Sequence, residues 1–343
     1  MNPIIEGDVS RLAERMDLSG LQGKHVLISG ASGMLASYFV FLFDWLNQHW
    51  DYRIQMTLLL RNRAKAEKKF GEILTHPGVS VLQQDVCLPI VTEQTFDYII
   101  HGASMADPTS IVNRPFEIMQ ANTVGTANIC QLARTNGGEI LFLSTREIYG
   151  ALDTDCIREE MFGALDHMNS RSCYPESKKC AEAMLLANYS EYHVPFKVVR
   201  IGHSYGPGMA IDNDGRIMSD MMHNMVHHED FLLKSTGMMK RAFCYISDAI
   251  AALLYVMLFG QCGQAYNVTN ETEEIAVRDL AQLMADKVGT GVTFQIQDAA
   301  ANQRGYFQVP RVQLDTSRLR ALGWKPEVTL SDGIDRTYRY FTE

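Results

Sequence analysis

Two short stretches carry the residues best suited to chemistry. In CYPESKK, Tyr174 and Lys178 stand four positions apart, so on a helix they share one face. An ammonium beside a phenol favours the phenolate and lowers its pKa, which makes Tyr174 a general base usable near neutral pH. In FLSTREIYG, residues 142–150, an apolar run ends in Ser144 and Thr145 and then meets Arg146 and Glu147. A carboxylate at a strand end can move a proton, or it can pair with a nearby arginine as scaffolding. A guanidinium cannot usefully donate a proton, yet it can hold a carboxylate in bidentate fashion or point away from the site.

A third stretch, HVLISGASGMLAS, sets Gly30 and Gly33 directly after an expected strand and before an expected helix, with Ala36 where a third glycine would fall. Small residues there let the backbone approach a pyrophosphate, and the helix start offers it unpaired N–H groups. Gly30, Ser32, Gly33 and Met34 are therefore candidate cofactor-binding residues. The next strand should end in an acidic residue if it grips the ribose hydroxyls of NAD, but it ends Arg61-Asn62-Arg63. Arg61 can hold the 2′-phosphate of NADP, or both arginines can be solvated. NAD and NADP both remain open.

The elements that must position these residues read as brief apolar runs alternating with helical periods, the pattern of parallel strands joined by crossover helices. Strands are expected at 25–29, 54–60, 79–84, 96–101, 139–144, 196–201 and 265–270, with helices at 5–16, 34–48, 114–135 and 175–190. This is an α/β chain with a Rossmann-like, doubly wound parallel sheet. Residues 1–200 form the NAD(P)-binding part with an N-terminal helix, and the strand at 265–270 returns to it. Past Ile201 the pattern breaks into GHSYGPGMAIDNDGR, a Met-rich helical stretch at 217–228 and two closing helical segments, so 201–343 is read mostly as a smaller α/β substrate lobe.

At 343 residues, 46% hydrophobic and 21% charged, the chain can bury one large core plus such a lobe. A net charge of −9 argues against a nucleic-acid partner, which needs clustered Lys and Arg. The N-terminus is polar and acidic and no eighteen apolar residues occur together, so no membrane partner and a cytoplasmic location are expected. Seven cysteines are scattered without a C-x-x-C pair and read as reduced thiols. His223, His227 and His228 have helical metal-ligand spacing but no third ligand in the sequence pattern, so they read as exposed helix residues and no metal is expected.

Together these motifs resemble the extended short-chain dehydrogenase/reductases that modify nucleotide sugars, the NAD-dependent epimerase/dehydratases. The resemblance runs over nearly the whole chain: GASGMLA, Asp85-Val86, HGAS (101–104), NTVGT (122–126), STREIYG, YPESK, RIGHSYGPG, RAFCYISDA and the closing LGWKP. It implies that Tyr174 takes the proton of a sugar 4-hydroxyl while hydride passes to the nicotinamide, that Thr145 hydrogen-bonds the same oxygen and that Lys178 holds ribose hydroxyls. It further implies that Asp85, Val86, Ala103 and Asn122 bind or support the cofactor. Ser104, His203, Arg216, Arg241 and Arg311 fall on the substrate side, with Arg241 matching the arginine that pairs with a nucleotide diphosphate and Arg311 as a second.

In relatives that only epimerise, the two positions after the Ser/Thr are small or apolar, whereas Glu147 resembles the glutamate of dehydratases and decarboxylases. A C4 ketone acidifies the C5 hydrogen, and a carboxylate can remove it or order the groups around it. Arg146 departs from both groups, since dehydratases similar to dTDP-glucose 4,6-dehydratase carry aspartate there and decarboxylases similar to UDP-glucuronate decarboxylase carry serine. Asn213-Asp214-Gly215-Arg216 and RAFCYISDA resemble decarboxylases, while His203 stands where the family has asparagine. The resemblance implies transient C4 oxidation with NAD(P), then C5/C6 chemistry of the decarboxylase or 4,6-dehydratase kind on a nucleotide-diphosphate sugar. The catalytic set is Thr145, Arg146, Glu147, Tyr174 and Lys178. A 4-epimerase and a non-catalytic NADP-binding regulator are the alternatives, and a homodimer through the helix bearing Tyr174 is expected by analogy.

Overall fold

The computed structural model describes residues 1–295 and 313–343, so Arg311, expected at the substrate, lies outside the described residues. The seven expected runs form one parallel sheet: β1 His25–Ser29, β2 Gln55–Leu60, β3 Val79–Gln83, β4 Tyr98–His101, β5 Glu139–Thr145, β7 Phe196–Ile201 and β11 Ala265–Val268. Their spatial order is β11–β7–β5–β4–β1–β2–β3. The order reverses between β1 and β4, which pair with Leu27 against Ile99, and the carboxyl ends of these two strands open the crevice where such sheets bind ligands.

The strands are apolar at both parities because helices cover both faces. Val26, Ile28, Ile100, Leu141, Leu143 and Val199 join one core with helices α1 Pro3–Arg15, α2 Met34–Trp50 and α8 Ile246–Phe259. Leu27, Leu59, Ile99, Ile140, Phe142 and Val198 join the other with α5 Pro115–Asn136 and α6 Cys173–Tyr192. The N-terminal helix covers α2 and α8 from outside: Ile5, Val9 and Leu12 are buried, and the buried Asp8 accepts from Tyr245 at 2.7 Å and Arg336 at 3.1 Å. Burial of Asp8 raises its pKa above the usual carboxylate value against these partners.

Past β7 a single glycine, Gly202, leads into β8 His203–Tyr205, which pairs with β10 Lys240–Tyr245 and through it with β12 Glu274–Ala276. Helix α7 Ile217–His227 and α9 Val277–Val288 complete this second layer. The chain does not stay there: α8 packs in the core of the main sheet and hands on to β11, so residues 246–268 belong with the first layer. Among the described residues no helix is long and apolar enough to cross a membrane.

Candidate active site

At the crevice between β1 and β4, Gly30 has φ +68 and a Cβ built on it would lie 2.8 Å from the Ala103 Cα and 2.9 Å from the Gly102 oxygen. Only glycine fits, because the two loops touch backbone to backbone. Gly33 starts α2 with no side chain capping its first N–H groups, which leaves them for an anion. Beneath the loop, Ser29 Oγ meets His101 Nδ1 at 2.8 Å and also accepts from the Ala103 N–H at 3.3 Å. Burial pushes the His101 pKa down to about 3, so this strut is neutral.

The other residues expected on the cofactor side divide. Ser32 and Met34 lie half-buried in the loop. Asp85 accepts from the Cys87 N–H at 2.8 Å and from Arg61 at 3.4 Å, so two positions read separately from the sequence meet as an ion pair. Val86 packs against α5, whose Asn128 donates to its carbonyl and whose Gly125 would clash with it if it bore a Cβ. Asn122 is buried between α5 and α6, donating to Ser177 Oγ at 2.9 Å, with its own Oδ1 unpartnered. Its work is to seat α6 rather than to reach the crevice.

At the end of β5, Thr145 begins the 3₁₀ turn Arg146–Tyr149, its Oγ accepting from the Glu147 N–H at 3.2 Å. The same hydroxyl lies near enough to the buried Tyr174 phenol, in the first turn of α6, to pull its pKa down. Lys178, one turn on, donates to the Leu143 carbonyl at 2.7 Å and sits 4.5 Å from the Phe142 ring centre. Burial outweighs the expected activation of the phenol by the ammonium. Burial, then the Glu147 charge, push the Tyr174 pKa above its ordinary value, and only Thr145, Arg216 and Arg171 pull it back. Burial likewise drops Lys178 to about 7, so near neutral pH the amine carries its charge only part of the time.

Glu147 pairs with Arg171 at 2.9 Å, both largely shielded from solvent. The carboxylate is placed as the scaffolding reading expects, and its charge also reaches Tyr174 closely enough to raise its pKa. Arg171, three residues before Tyr174, was missed in the sequence, where its place just ahead of α6 was the available signal.

Arg146, the next residue after Thr145, has a different set of neighbours. It lines a cleft with His203, Arg241, Lys240 and Thr269, and among the described residues it forms no ion pair. Burial lowers its pKa from the usual arginine value. His203 is held neutral by burial and by Arg146, Arg241 and Arg216, and its Nε2 has no partner. Arg216 is tied to the buried Asp214, with Nη2 at 2.7 Å from the carboxylate, and lies near Tyr174. Ser104 sits half-buried in the loop after β4, donating to the Met105 carbonyl at 3.4 Å. Outside this site, the third donor absent from the histidine pattern turns up as Asp212, with donor atoms of Asp212, His223 and His227 within 4.8 Å of one another on the surface.

Fold and site define a short-chain dehydrogenase/reductase of the extended type, with a doubly wound dinucleotide crevice and a Tyr-x-x-x-Lys helix beside a Thr-ended strand. The chain belongs to the NAD dependent epimerase/dehydratase family, whose model matches residues 26–269. It is 29% identical over 326 residues to UDP-glucuronic acid decarboxylase 1 of Xenopus tropicalis, covering 94% of this chain and 73% of that one. Its fold matches a dTDP-glucose 4,6-dehydratase from Streptomyces venezuelae solved with NAD, at TM-score 0.77 and 21% identity over 93% of this chain and 97% of that one. It also matches a UDP-N-acetylglucosamine 4-epimerase from Methanobrevibacter ruminantium, at TM-score 0.79 and 17% identity over 94% and 99%. The family's NAD fits the crevice: Gly30 admits close backbone approach, the start of α2 is uncapped, and Arg61 is turned to Asp85 rather than offered to a 2′-phosphate.

Proposed function

We propose that this enzyme acts on a nucleotide-diphosphate hexuronate, a UDP sugar by likeness to its relatives, and removes the sugar carboxylate as carbon dioxide after transient oxidation at C4. The observation that carries the reading is the meeting of Thr145, Tyr174 and Glu147 at one strand end, a hydroxyl and phenol for the 4-oxygen with a carboxylate beside them. NAD held at Gly30 and Gly33 would supply the acceptor for the C4 hydride and the means of its return at the end of the cycle. Tyr174, once ionised, would accept the 4-hydroxyl proton while Thr145 holds the same oxygen, and the positive charge of NAD when bound would favour that ionisation against the burial that opposes it. The ketone makes the neighbouring carboxylate a β-keto acid, and as carbon dioxide leaves, the Thr145 and Tyr174 hydroxyls steady the charge developing on the 4-oxygen. Glu147, fixed by Arg171, orders the C5 proton transfer that follows.

Gly30, Ser32, Gly33 and Met34 hold the cofactor diphosphate in this reading, while Lys178 and the loop at Ala103 approach its nicotinamide half. Arg241 takes the substrate diphosphate with Arg216 behind it. The exposed apolar residues Val112, Phe116 and Met119 on α4 Pro108–Asn113 and α5, with Leu186 and Tyr189 on α6, support a homodimer through these helices. All seven cysteines are free, which suits the reducing cytoplasm.

The test is mass spectrometry and proton NMR of the enzyme incubated with NAD and UDP-glucuronate, alongside UDP-glucose and dTDP-glucose. Loss of carbon dioxide from UDP-glucuronate is expected. Loss of water from a hexose would move the assignment to 4,6-dehydration. A product of unchanged mass and inverted C4 would make this a 4-epimerase, the reading that a purely structural Glu147–Arg171 pair favours.

A further inference from the structure

Arg146 is the one residue of the strand-end motif that this mechanism leaves idle, and its surroundings are unusual. A half-buried guanidinium cannot shed its proton as an amine can, so a protein that holds one normally sets a carboxylate beside it. Here the cleft neighbours are His203, Arg241 and Lys240; the Glu147 charge reaches Arg146 but is paired with Arg171, and among the described residues none of the ion pairs involves Arg146. The carboxylates that also line the cleft are engaged elsewhere: Glu271 pairs with Arg320 and accepts from the Thr316 N–H at 3.0 Å, and Glu274 has a partner of its own. The buried His203 Nε2 faces this space with no hydrogen bond. Two guanidiniums lie close enough to work against each other, and Arg241 falls to about 10 through burial and Arg146.

We propose that Arg146 is the residue that selects a carboxylated sugar: it receives the C5 carboxylate of the substrate, with His203 as a neutral neighbour, while Arg241 takes the diphosphate. The inference rests on the hexuronate reading above. The choice of carboxylate over diphosphate follows from position. Arg146 directly succeeds Thr145, whose hydroxyl lies beside the Tyr174 phenol and, in the reading above, marks the 4-oxygen. On a hexuronate ring the carboxylate is borne by the carbon next to C4, whereas the diphosphate leaves from C1 on the far side. A side chain rooted beside the 4-oxygen meets the carboxylate first. A neutral hexose would leave Arg146 buried without an anion, so the site rejects it by the cost of that unpaired charge.

The experiment is isothermal titration of the protein loaded with NADH, which prevents turnover, using UDP, UDP-glucose and UDP-glucuronate. The wild type is expected to bind UDP-glucuronate at least tenfold more tightly than UDP-glucose. In Arg146→Ser that preference falls to about onefold while the affinity for UDP is kept, and Arg146→Lys, which keeps charge but not the fork, retains part of it. Unchanged UDP affinity also certifies that each variant is folded. A preference that survives Arg146→Ser overturns the assignment, and so does an equal loss for all three ligands, which would place Arg146 on the diphosphate. Wild-type protein that binds UDP yet prefers UDP-glucose would overturn the hexuronate reading itself.

Discussion

Positive charge is handled in opposite ways at the two ends of the site. At the β5–α6 end the buried cation is an amine: Lys178, against the Leu143 carbonyl and the Phe142 ring, falls to about 7 and can simply give up its proton. At the lobe end the cations are guanidiniums, and even Arg241 at about 10 stays charged at neutral pH. The same burial thus leaves a group that can release its proton in one place and a fixed positive charge in the other. The side chain's own chemistry decides which.

The largest effect should come from removing the group that handles protons. Tyr174→Phe deletes the phenol but keeps the ring in its cluster with Ile111 and Ile118. Turnover should fall by about 10² to 10⁴, the usual contribution of a positioned acid–base group, with cofactor binding retained. Unchanged kcat would remove Tyr174 from the mechanism and leave the amine end without a task.

Glu147→Gln is the next step down, because it strips one charge from between the two ends. C5 protonation, and with it steady-state turnover, should slow by on the order of 10² while C4 oxidation, followed as a single-turnover rise in NADH, and first-turnover carbon dioxide release continue. The Glu147 charge raises the Tyr174 pKa, so its loss should move the phenol limb of the pH–rate profile to lower pH. The variant also leaves Arg171 facing an amide and should melt earlier. An enzyme that keeps full turnover would make the pair scaffolding and this chain an epimerase.

Lys178 supplies a prediction in stability rather than rate. Its folded pKa is depressed from 10.5 to about 7. Between those values the unfolded chain binds the proton and the folded chain does not, so this group makes stability rise with pH across that window. The slope is about 1.4 kcal/mol per pH unit for one proton. Denaturant titrations of the cofactor-free protein and of Lys178→Met from pH 7 to 10 should differ by that slope. Parallel curves would mean that the amine keeps its charge, and the contrast with the guanidiniums would fail.

The main sheet was legible in the sequence because its strands are uninterrupted apolar runs punctuated by Gly30, Arg61 and Gly202, and each lies within a residue or two of its expected place. The helices α7 and α9 of the second lobe were legible too, but its strands were not, since β8 and β12 are three residues long and leave no period to read. Helix α8 was missed for the opposite reason: eleven of its fourteen residues are buried, so it carries no polar stripe. At the site, residue types were readable and partners were not. Glu147 meets Arg171 and His223 meets Asp212 only because loops of the fold bring them together. The pKa of Tyr174 was misjudged because spacing shows which residues share a helix face, whereas the desolvation that outweighs the charge belongs to the packed core.

Arg61 tests the comparison where the effect should be smallest. It is a guanidinium at the cofactor crevice, like Arg146 at the substrate cleft, but it has a carboxylate: Asp85 lies at 3.4 Å, with side-chain exposures of 56% and 36%. An exposed pair of this kind contributes under about 1 kcal/mol, so Arg61→Gln should hardly change the melting temperature, and less still at high salt. If a guanidinium becomes an anion site only when the protein withholds a counter-charge, Arg61→Gln should also alter the kcat/KM ratio of NAD to NADP by less than about threefold. Asp85→Asn should then do what deleting the arginine does not, freeing Arg61 for a 2′-phosphate and raising the efficiency of NADP. A wild type that prefers NADP, and loses that preference in Arg61→Gln, would show that a neighbouring carboxylate does not silence an arginine, and the case for Arg146 as an unneutralised site would lose its physical ground.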